Sequence, residues 1–472
     1  MKKIFFLTLF FAFVFSCDKE EPQAPEINYQ ISLNIDGNGT LSTSSGTYVS
    51  GELLSLVATP DEGHYFVGWS GDVSSEENPL TFNVSQDLNL TATFLPIVEL
   101  SSEVVVYQPL DIDTNNIFVI ENGGQLAYLI DKTGERLQSW EFELNFGNDV
   151  ELQSDGSIIA LFKPRTTLIG FGGYGGVLRK FDPSGTMVWE YELNTEDFIL
   201  HHDFLVLPNG NVVVMVWERI PFDEATAAGF ARTTDIYTEK LIEINPNTDE
   251  IVWEWRSWEH KVQDLDSNFP NFGNVTEQFQ KIDLNYNSNE NGDIMHANGI
   301  EYDPVTGLLY MSVNFYSEVW VIDHNLTTEQ AQGPDGDLKY RFGNPSAYKS
   351  DGERLFFNNH HPNFVTLDPE SIGNFMIYMN GSEEEQSVVF EFSLPDTFVN
   401  DAGVMNEPQL IWSYTHPDLF YGKISGVVRL ENGNTLICEG DYGYWEVTPD
   451  ARVVWKYEGE TTYWRGYSIP AN

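Results

Sequence analysis

Histidine is scarce in this 472-residue sequence, nine in all, yet five of the nine fall in three short stretches. These are Leu200-His201-His202-Asp203-Phe204, Asp293-Ile294-Met295-His296-Ala297-Asn298-Gly299 and Asn358-Asn359-His360-His361-Pro362. Imidazole is the side chain whose proton exchanges nearest neutral pH, so three of them drawn to one point permit two kinds of chemistry. They could ligate a metal such as zinc, which takes three or four His, Cys or carboxylate ligands. They could equally act as nucleophile, acid and electrostatic clamp around an anion. Neither H-x-H nor H-E-x-x-H spacing occurs, so spacing leaves both chemistries open. One such histidine alone more often caps a turn or bonds a neighbouring strand. Three, each ahead of a strand in a different repeat, favour a shared site.

The elements that must position them are β-strands. Five segments share an apolar-Trp-x-aromatic ending: Trp140-Glu141-Phe142, Trp189-Glu190-Tyr191, Trp253-Glu254-Trp255, Trp412-Ser413-Tyr414 and Trp455-Lys456-Tyr457. Turns such as Asp182-Pro183-Ser184-Gly185 precede some of them, and hairpin signals at Asp155-Gly156, Asn209-Gly210 and Asn432-Gly433 follow others. Repeats of several strands with one tryptophan each read as propeller blades. The long gap between Trp253 and Trp412 holds further strands at 308–313, 318–322, 375–379 and 388–392. It therefore accommodates blades whose signature has drifted, and the expectation is an all-β, six-bladed β-propeller over 97–472. Strands nearest the axis would bring the three histidine stretches together, and insertions at 220–238 and 258–291 would wall or cover that site.

Composition bounds the partners. With 24 Lys and Arg against 72 Asp and Glu, the formal charge is −48, which repels a phosphate backbone and argues against nucleic acid. It is equally an obstacle for an anionic substrate. At the N-terminus Lys2 and Lys3, an apolar run from Ile4 to Phe15 and a small Ser16 form a secretory signal over 1–16. Cys17 stands at the position of a lipidated cysteine, followed by an acidic tether over 17–27, so the one membrane contact expected is a lipid anchor. If Cys17 is acylated, Cys438 has no cysteine partner and reads as a packed core residue. Residues 28–96 form a separate small all-β module of short alternating strands, in which Trp69 and His64 read as core and turn residues.

Three resemblances add to this reading. The Ser16-Cys17 junction resembles a bacterial lipobox, and Asp18-Lys19-Glu20-Glu21 resembles the surface-export signal of Bacteroidota lipoproteins, implying an outer-membrane, cell-surface location. The stretches GNGTL, SGTYVSG, ATPDEGHYFVGWSGD and NPLTF between 37 and 82 resemble the divergent internalin-type B-repeat, a spacer or adhesion module. Most of 105–460 resembles the arylsulfate sulfotransferases, six-bladed propellers. The matching stretches include HHDFLVLPNGNV at 201–212, IVWEWRSWEHKVQD at 251–264 and DIMHANGIEYDP at 293–304. SEVWVIDH at 317–324, YRFGNPSAY at 340–348 and RLENGNTLICEG at 429–440 are the most specific.

That family resemblance implies transfer of a sulfuryl group from an aryl sulfate to a phenol through a sulfohistidine, with no adenylyl-sulfate donor and no cofactor. It implies His360 as nucleophile, with His202 and His296 as acid and oxyanion stabiliser. Asn298, Asn359 and His361 would line the substrate site. The pattern departs from the family at Ser312-Val313-Asn314-Phe315, where Asn314 stands in place of the family's arginine, and at Asn359 and His361, which replace a Gln and an Asp. A neutral amide donates hydrogen bonds but supplies no fixed charge or guanidinium fork. Lys423 is the substitute cation the sequence offers. His260, Arg341 and Arg429 read as structural. The competing expectations are a propeller that only binds a sulfated or aromatic ligand, and a metal-dependent hydrolase using the same three histidines.

Overall fold

A computed structural model of the chain describes residues 26–471, apart from 288, 382–385 and 402. The signal segment, Cys17 and the start of the tether lie outside the described residues. The chain divides into two compact units after Glu99, each described by itself.

The first unit is built on a four-stranded sheet in the order Gly46–Val49, Asn28–Asp36, Leu88–Pro96, His64–Gly71, with the middle two strands parallel. In Leu88–Pro96 every second side chain, Leu88, Leu90, Ala92 and Phe94, is buried. That alternation puts one face of the sheet on the core. Trp69 is buried among them and donates its Nε1–H to the Glu77 carbonyl. His64 is half-buried and contacts the Asn38 side chain.

The second unit is a six-bladed β-propeller. Blade 2 runs outward through Phe146–Leu152, Ile158–Phe162, Val177–Phe181 and Met187–Glu192; blade 3 through Phe198–Val206, Val212–Ile220, Ile236–Asn245 and Glu250–Arg256. Blade 4 comprises Ala297–Asp303, Leu308–Val313, Glu318–Asp323 and Tyr340–Phe342; blade 5 Asn359–Phe364, Phe375–Met379, Val388–Ser393 and Gln409–Tyr414. Blade 6 comprises Gly426–Arg429, Thr435–Glu439, Gly443–Val447 and Val453–Glu458. Blade 1 is composite: Tyr463–Ile469 from the far end of the chain is its innermost strand, ahead of Asn116–Glu121, Leu126–Ile130 and Arg136–Glu141. The ring is sealed a second time where Val104–Tyr107 adds a fifth strand outside blade 6. The innermost strands touch one another in a closed circle.

The repeated tryptophan has a physical cause. Each lies on the fourth strand of its blade, beside the turn between the third and fourth strands of the next blade, and four of the five indoles hydrogen-bond to that turn. Trp189 bonds Asp249, Trp253 the Leu326 carbonyl, Trp412 the Pro449 carbonyl and Trp455 the Lys132 carbonyl. Trp140 lies beside Asp182 and Gly185 of the equivalent turn in blade 2. Blade 4 is the drifted one: its short outer strand carries no tryptophan. The hairpins after the inner strands of blades 2, 3 and 6 share one design. Gly156, Gly210 and Gly433 take φ of 83°, 82° and 84°, a left-handed conformation that a β-carbon disfavours.

Strand alternation fixes where the insertions go. Since the inner strand of blade 3 runs away from its start and the second strand returns, the 221–235 segment emerges at the end where inner strands begin. The fourth strand returns to that same end, so 257–296 emerges there too. The two segments are tied together: the Asn285 side chain accepts from Ala231 N–H and donates to the Gly229 carbonyl, and Asn271 donates to the Ala228 carbonyl. His260, between Asp337 and the Ala331 carbonyl, holds the second segment down. Arg341 pairs with Glu318, Arg429 with Glu391, and Cys438 is buried with its thiol pushed up by burial.

Candidate active site

Five of the six inner strands carry an irregularity in the same place, and the extra residues are the chemically interesting ones. The register slips at 147–149 in blade 2, at 201–203 in blade 3, at Asn298 in blade 4, at 361–362 in blade 5 and at 464–465 in blade 1. Such bulges release residues from the ladder and re-aim their side chains. Asn148, His202 and His361 accordingly take left-handed φ values of 119°, 51° and 52°, as does His296, at 51°, just ahead of its strand. His201, His202, His360 and His361 lie within inner strands, and His296 alone precedes one.

The rings of His202 and His296 meet edge to face with centroids 4.8 Å apart. The Trp464 ring, from the closing strand, lies 6.2 Å from His202 and 6.4 Å from His360. His296 stacks on Phe315 at 4.6 Å. His202 Nδ1 is 2.9 Å from His201 Nδ1, and His201 stacks on Trp217 at 4.0 Å. His201 Nε2 lies 2.9 Å from Glu239 Oε2, a close contact that lacks hydrogen-bond alignment. Gly173 abuts the other side: a β-carbon there would stand 2.0 Å from His202 Nε2.

Hydrogen bonding assigns the tautomers of the two outer members. The Asn380 amide donates its Nδ2–H groups to the Tyr421 and Ile424 carbonyls, both at 2.8 Å, so its Oδ1 faces His360 Nδ1 at 2.5 Å. His360 therefore carries its proton on Nδ1 and presents a lone pair on Nε2. That lone pair accepts from the Ile424 N–H at 3.2 Å, in a loop where Ile424 and Ser425 both have positive φ, 51° and 83°. A β-branched residue in that region is strained. His296 donates from Nδ1 to Asp293 Oδ2 at 2.5 Å, an imidazole–carboxylate pair with Nε2 left to exchange a proton.

Burial, with the neighbouring imidazoles and Arg465 adding to it, holds His202 well below its ordinary range and His360 at about 3. Both are neutral at physiological pH. Burial likewise pushes the Glu239 carboxyl up to about 8.

The other residues singled out in the sequence are placed differently. Asn298, Ser312 and Asn314 all donate side-chain hydrogen bonds to one atom, the Asn359 carbonyl, at 2.8, 3.1 and 3.3 Å. The Asn359 side chain turns back to Ser312 and the Glu318 carbonyl. These residues fix the backbone next to His360. His361 accepts from Val427 N–H and faces a cavity on the far side of the bulges. Lys423 is exposed.

A residue that sequence reasoning passed over occupies the axis. Arg465, 3% exposed, pairs with Asp203 at 3.0 Å and donates to the Asn298 carbonyl. The signal was an arginine between aromatic residues in Trp464-Arg465-Gly466-Tyr467, but only ring closure makes that strand innermost.

Solved structures with a related course include the hydrazine synthase of Kuenenia stuttgartiensis, 14% identical, covering 77% of this chain and 84% of that one with a TM-score of 0.34. Another is apo AztD from Citrobacter koseri, 8% identical, covering 75% and 98% with a TM-score of 0.33. Likeness at this level carries no functional information. No curated protein matches the chain in sequence. Residues 29–98 match the divergent InlB B-repeat domain. Residues 102–461 match the arylsulfotransferase (ASST) model, which covers strands of every blade and all five of these histidines but stops short of the closing strand Tyr463–Ile469, and the chain belongs to the arylsulfotransferase family.

Proposed function

We propose that the protein moves a sulfuryl group from an aryl sulfate to a phenolic acceptor by way of a sulfohistidine at His360. The observation that carries this is the tautomer of His360: a buried imidazole kept neutral, with its proton committed to Asn380 and its Nε2 lone pair accepting from the Ile424 N–H. In the first step Nε2 forms a bond to sulfur as the sulfur–oxygen bond to the ring breaks, the electron pair leaving on the phenolate oxygen. A phenol has a pKa of about 10, so departure is assisted by a proton. His296 supplies it from Nε2, with Asp293 stabilising the imidazolium form. The same atom then takes the proton from the incoming phenol as the sulfuryl group is handed over, which restores His360.

Attack requires Nε2 to exchange the Ile424 N–H for sulfur, and the strained 424–425 backbone is the part that must give. Once displaced, that N–H sits close enough to donate to a sulfuryl oxygen. A propeller that binds a sulfated or aromatic ligand without turnover is the second reading, favoured by the same Ile424 contact. We also propose that Cys17 is acylated and anchors the protein at the outer membrane, facing the cell exterior. Among the described residues no helix is long and apolar enough to cross a membrane.

The test is release of nitrophenolate from 4-nitrophenyl sulfate in the presence of phenol, with His360→Ala as the comparison. Loss of a covalent nucleophile should lower turnover by at least about 10³-fold, and an alkaline-quenched digest of the wild type should carry sulfuryl on the His360 peptide. Ligand binding without turnover in the wild type would establish the second reading.

A further inference from the structure

We propose that the opposite end of the same channel is a second binding site, for a small organic cation: an amine on an apolar body. A cavity of about 470 Å³ lies beyond the bulges, lined by the later halves of the inner strands of blades 1 to 5. Its walls include Phe118, Leu152, Phe204, Leu205, Ile300 and Ile469, and its polar groups are dominated by Asp149, Glu151, Asp203 and Glu301. Arg465 and its contact with the Asn298 carbonyl separate it from the Trp464 side.

The four carboxyls are not equivalent. Asp149 accepts from Trp464 Nε1 and Tyr467 Oη, and Asp203 holds Arg465 and the Ile300 N–H. Glu301 takes its neighbour's Tyr302 N–H, and neither it nor Glu151 has a salt-bridge partner among the described residues. One donor is also unused: the Nε–H of Arg465, a residue that is 3% exposed and lines the cavity, has no acceptor. Two carboxyls without a cationic partner, a buried donor without an acceptor and apolar walls suit an ammonium group with an ether or hydroxyl oxygen a few atoms away. A bare metal ion suits them less, for no group of three or more metal-ligating side chains is gathered among the described residues.

Burial raises Glu151 and Glu301 to about 7, with Asp149 adding to the first and Glu151 to the second while Arg465 opposes it. The remaining groups facing them are Asp203, raised to about 8 by burial, and His361, held neutral by burial. A bound cation favours the ionised carboxyls and expels a proton, so affinity should rise between pH 6 and pH 8.

The probe is 2-phenoxyethylamine, with neutral 2-phenoxyethanol as its isostere, both used with no sulfuryl donor present so that no transfer can occur. In calorimetry on the full chain the amine should bind at least about tenfold tighter than the alcohol, and about tenfold tighter at pH 8 than at pH 6. Glu301→Gln and Glu151→Gln, with melting temperatures confirming the fold, should each weaken it severalfold, and His360→Ala should leave it unchanged. Equal binding of amine and alcohol, indifference to both Glu→Gln changes, or loss in His360→Ala would overturn the proposal. None of these outcomes depends on sulfuryl transfer.

Discussion

The two ends of the axial channel are made by the same strands and differ in everything else. Ahead of the bulges stand imidazoles in partnered pairs: His360 with Asn380, His296 with Asp293, His202 with His201. Past them stand carboxyls against apolar walls. Burial acts on both groups in opposite senses, pushing imidazoles down and carboxyls up, so at neutral pH it makes bases available at one end and stores protons at the other. The bulge is the dividing element, because residues on either side of it within one strand serve different chambers. His202 and Asp203, adjacent in sequence, are the clearest instance, and Arg465 stands between the chambers.

Removing that divider should have the largest effect. Arg465→Met leaves Asp203 and Asp149 buried without their cation, and loss of one partner of such a pair costs about 3–5 kcal/mol. Urea unfolding should show this deficit at pH 9 and a smaller one at pH 6, where Asp203, raised to about 8, holds its proton. A pH-independent deficit would mean that Arg465 acts through packing instead.

The two ends should also fail in opposite directions of pH. His202 and His360 have pKa values lowered on folding, so below about pH 6.5 the unfolded chain binds more protons and stability falls as pH drops toward 3. Asp203, Glu151 and Glu301 have values raised on folding. The stability they contribute is present below about pH 4 and is lost as pH rises through about 7 to 8. Melting temperature should therefore be highest between about pH 4 and pH 6.5, where the two trends oppose each other. His202→Asn should flatten the acid limb and leave the alkaline one alone.

A subtler change concerns the partner of the nucleophile. Asn380→Asp keeps an acceptor on His360 Nδ1 but adds a charge, which raises the affinity of the ring for protons. The acid limb of turnover should move to higher pH, and ¹⁵N shifts of His360 should still report the Nδ1–H form. Asn380→Ala should free the tautomer and lower turnover by about 10- to 100-fold. Unchanged nitrogen shifts in that variant would show that the amide does not set the tautomer.

The sequence exposed those features whose cause is local. Gly156, Gly210 and Gly433 announce hairpins because their conformation demands glycine, and the Trp ending announces a blade because one indole must reach the next turn. The three histidine stretches stood out by scarcity. What escaped depended on ring closure or distant pairing. Asn380, Asp293 and Glu239 reveal themselves only beside the rings they contact, and Trp464 and Arg465 only once the final strand is seen to be innermost. Asn314 shows the limit of matching a pattern position by position. Its amide is spent on the Asn359 carbonyl, and the buried cation of this channel enters from a strand some 150 residues later.

The composite first blade sets an order of events. Its inner strand follows every other blade strand in chain order, and it brings Trp464, beside which His202 and His360 both lie, and Arg465, which pairs with the channel carboxyls. Blades 2 to 5 can form earlier, yet until 463–469 arrives their axis lacks its aromatic floor and its cation. Chemical competence thus waits on that strand, and a chain that stops short of it carries three histidine stretches with no site to share.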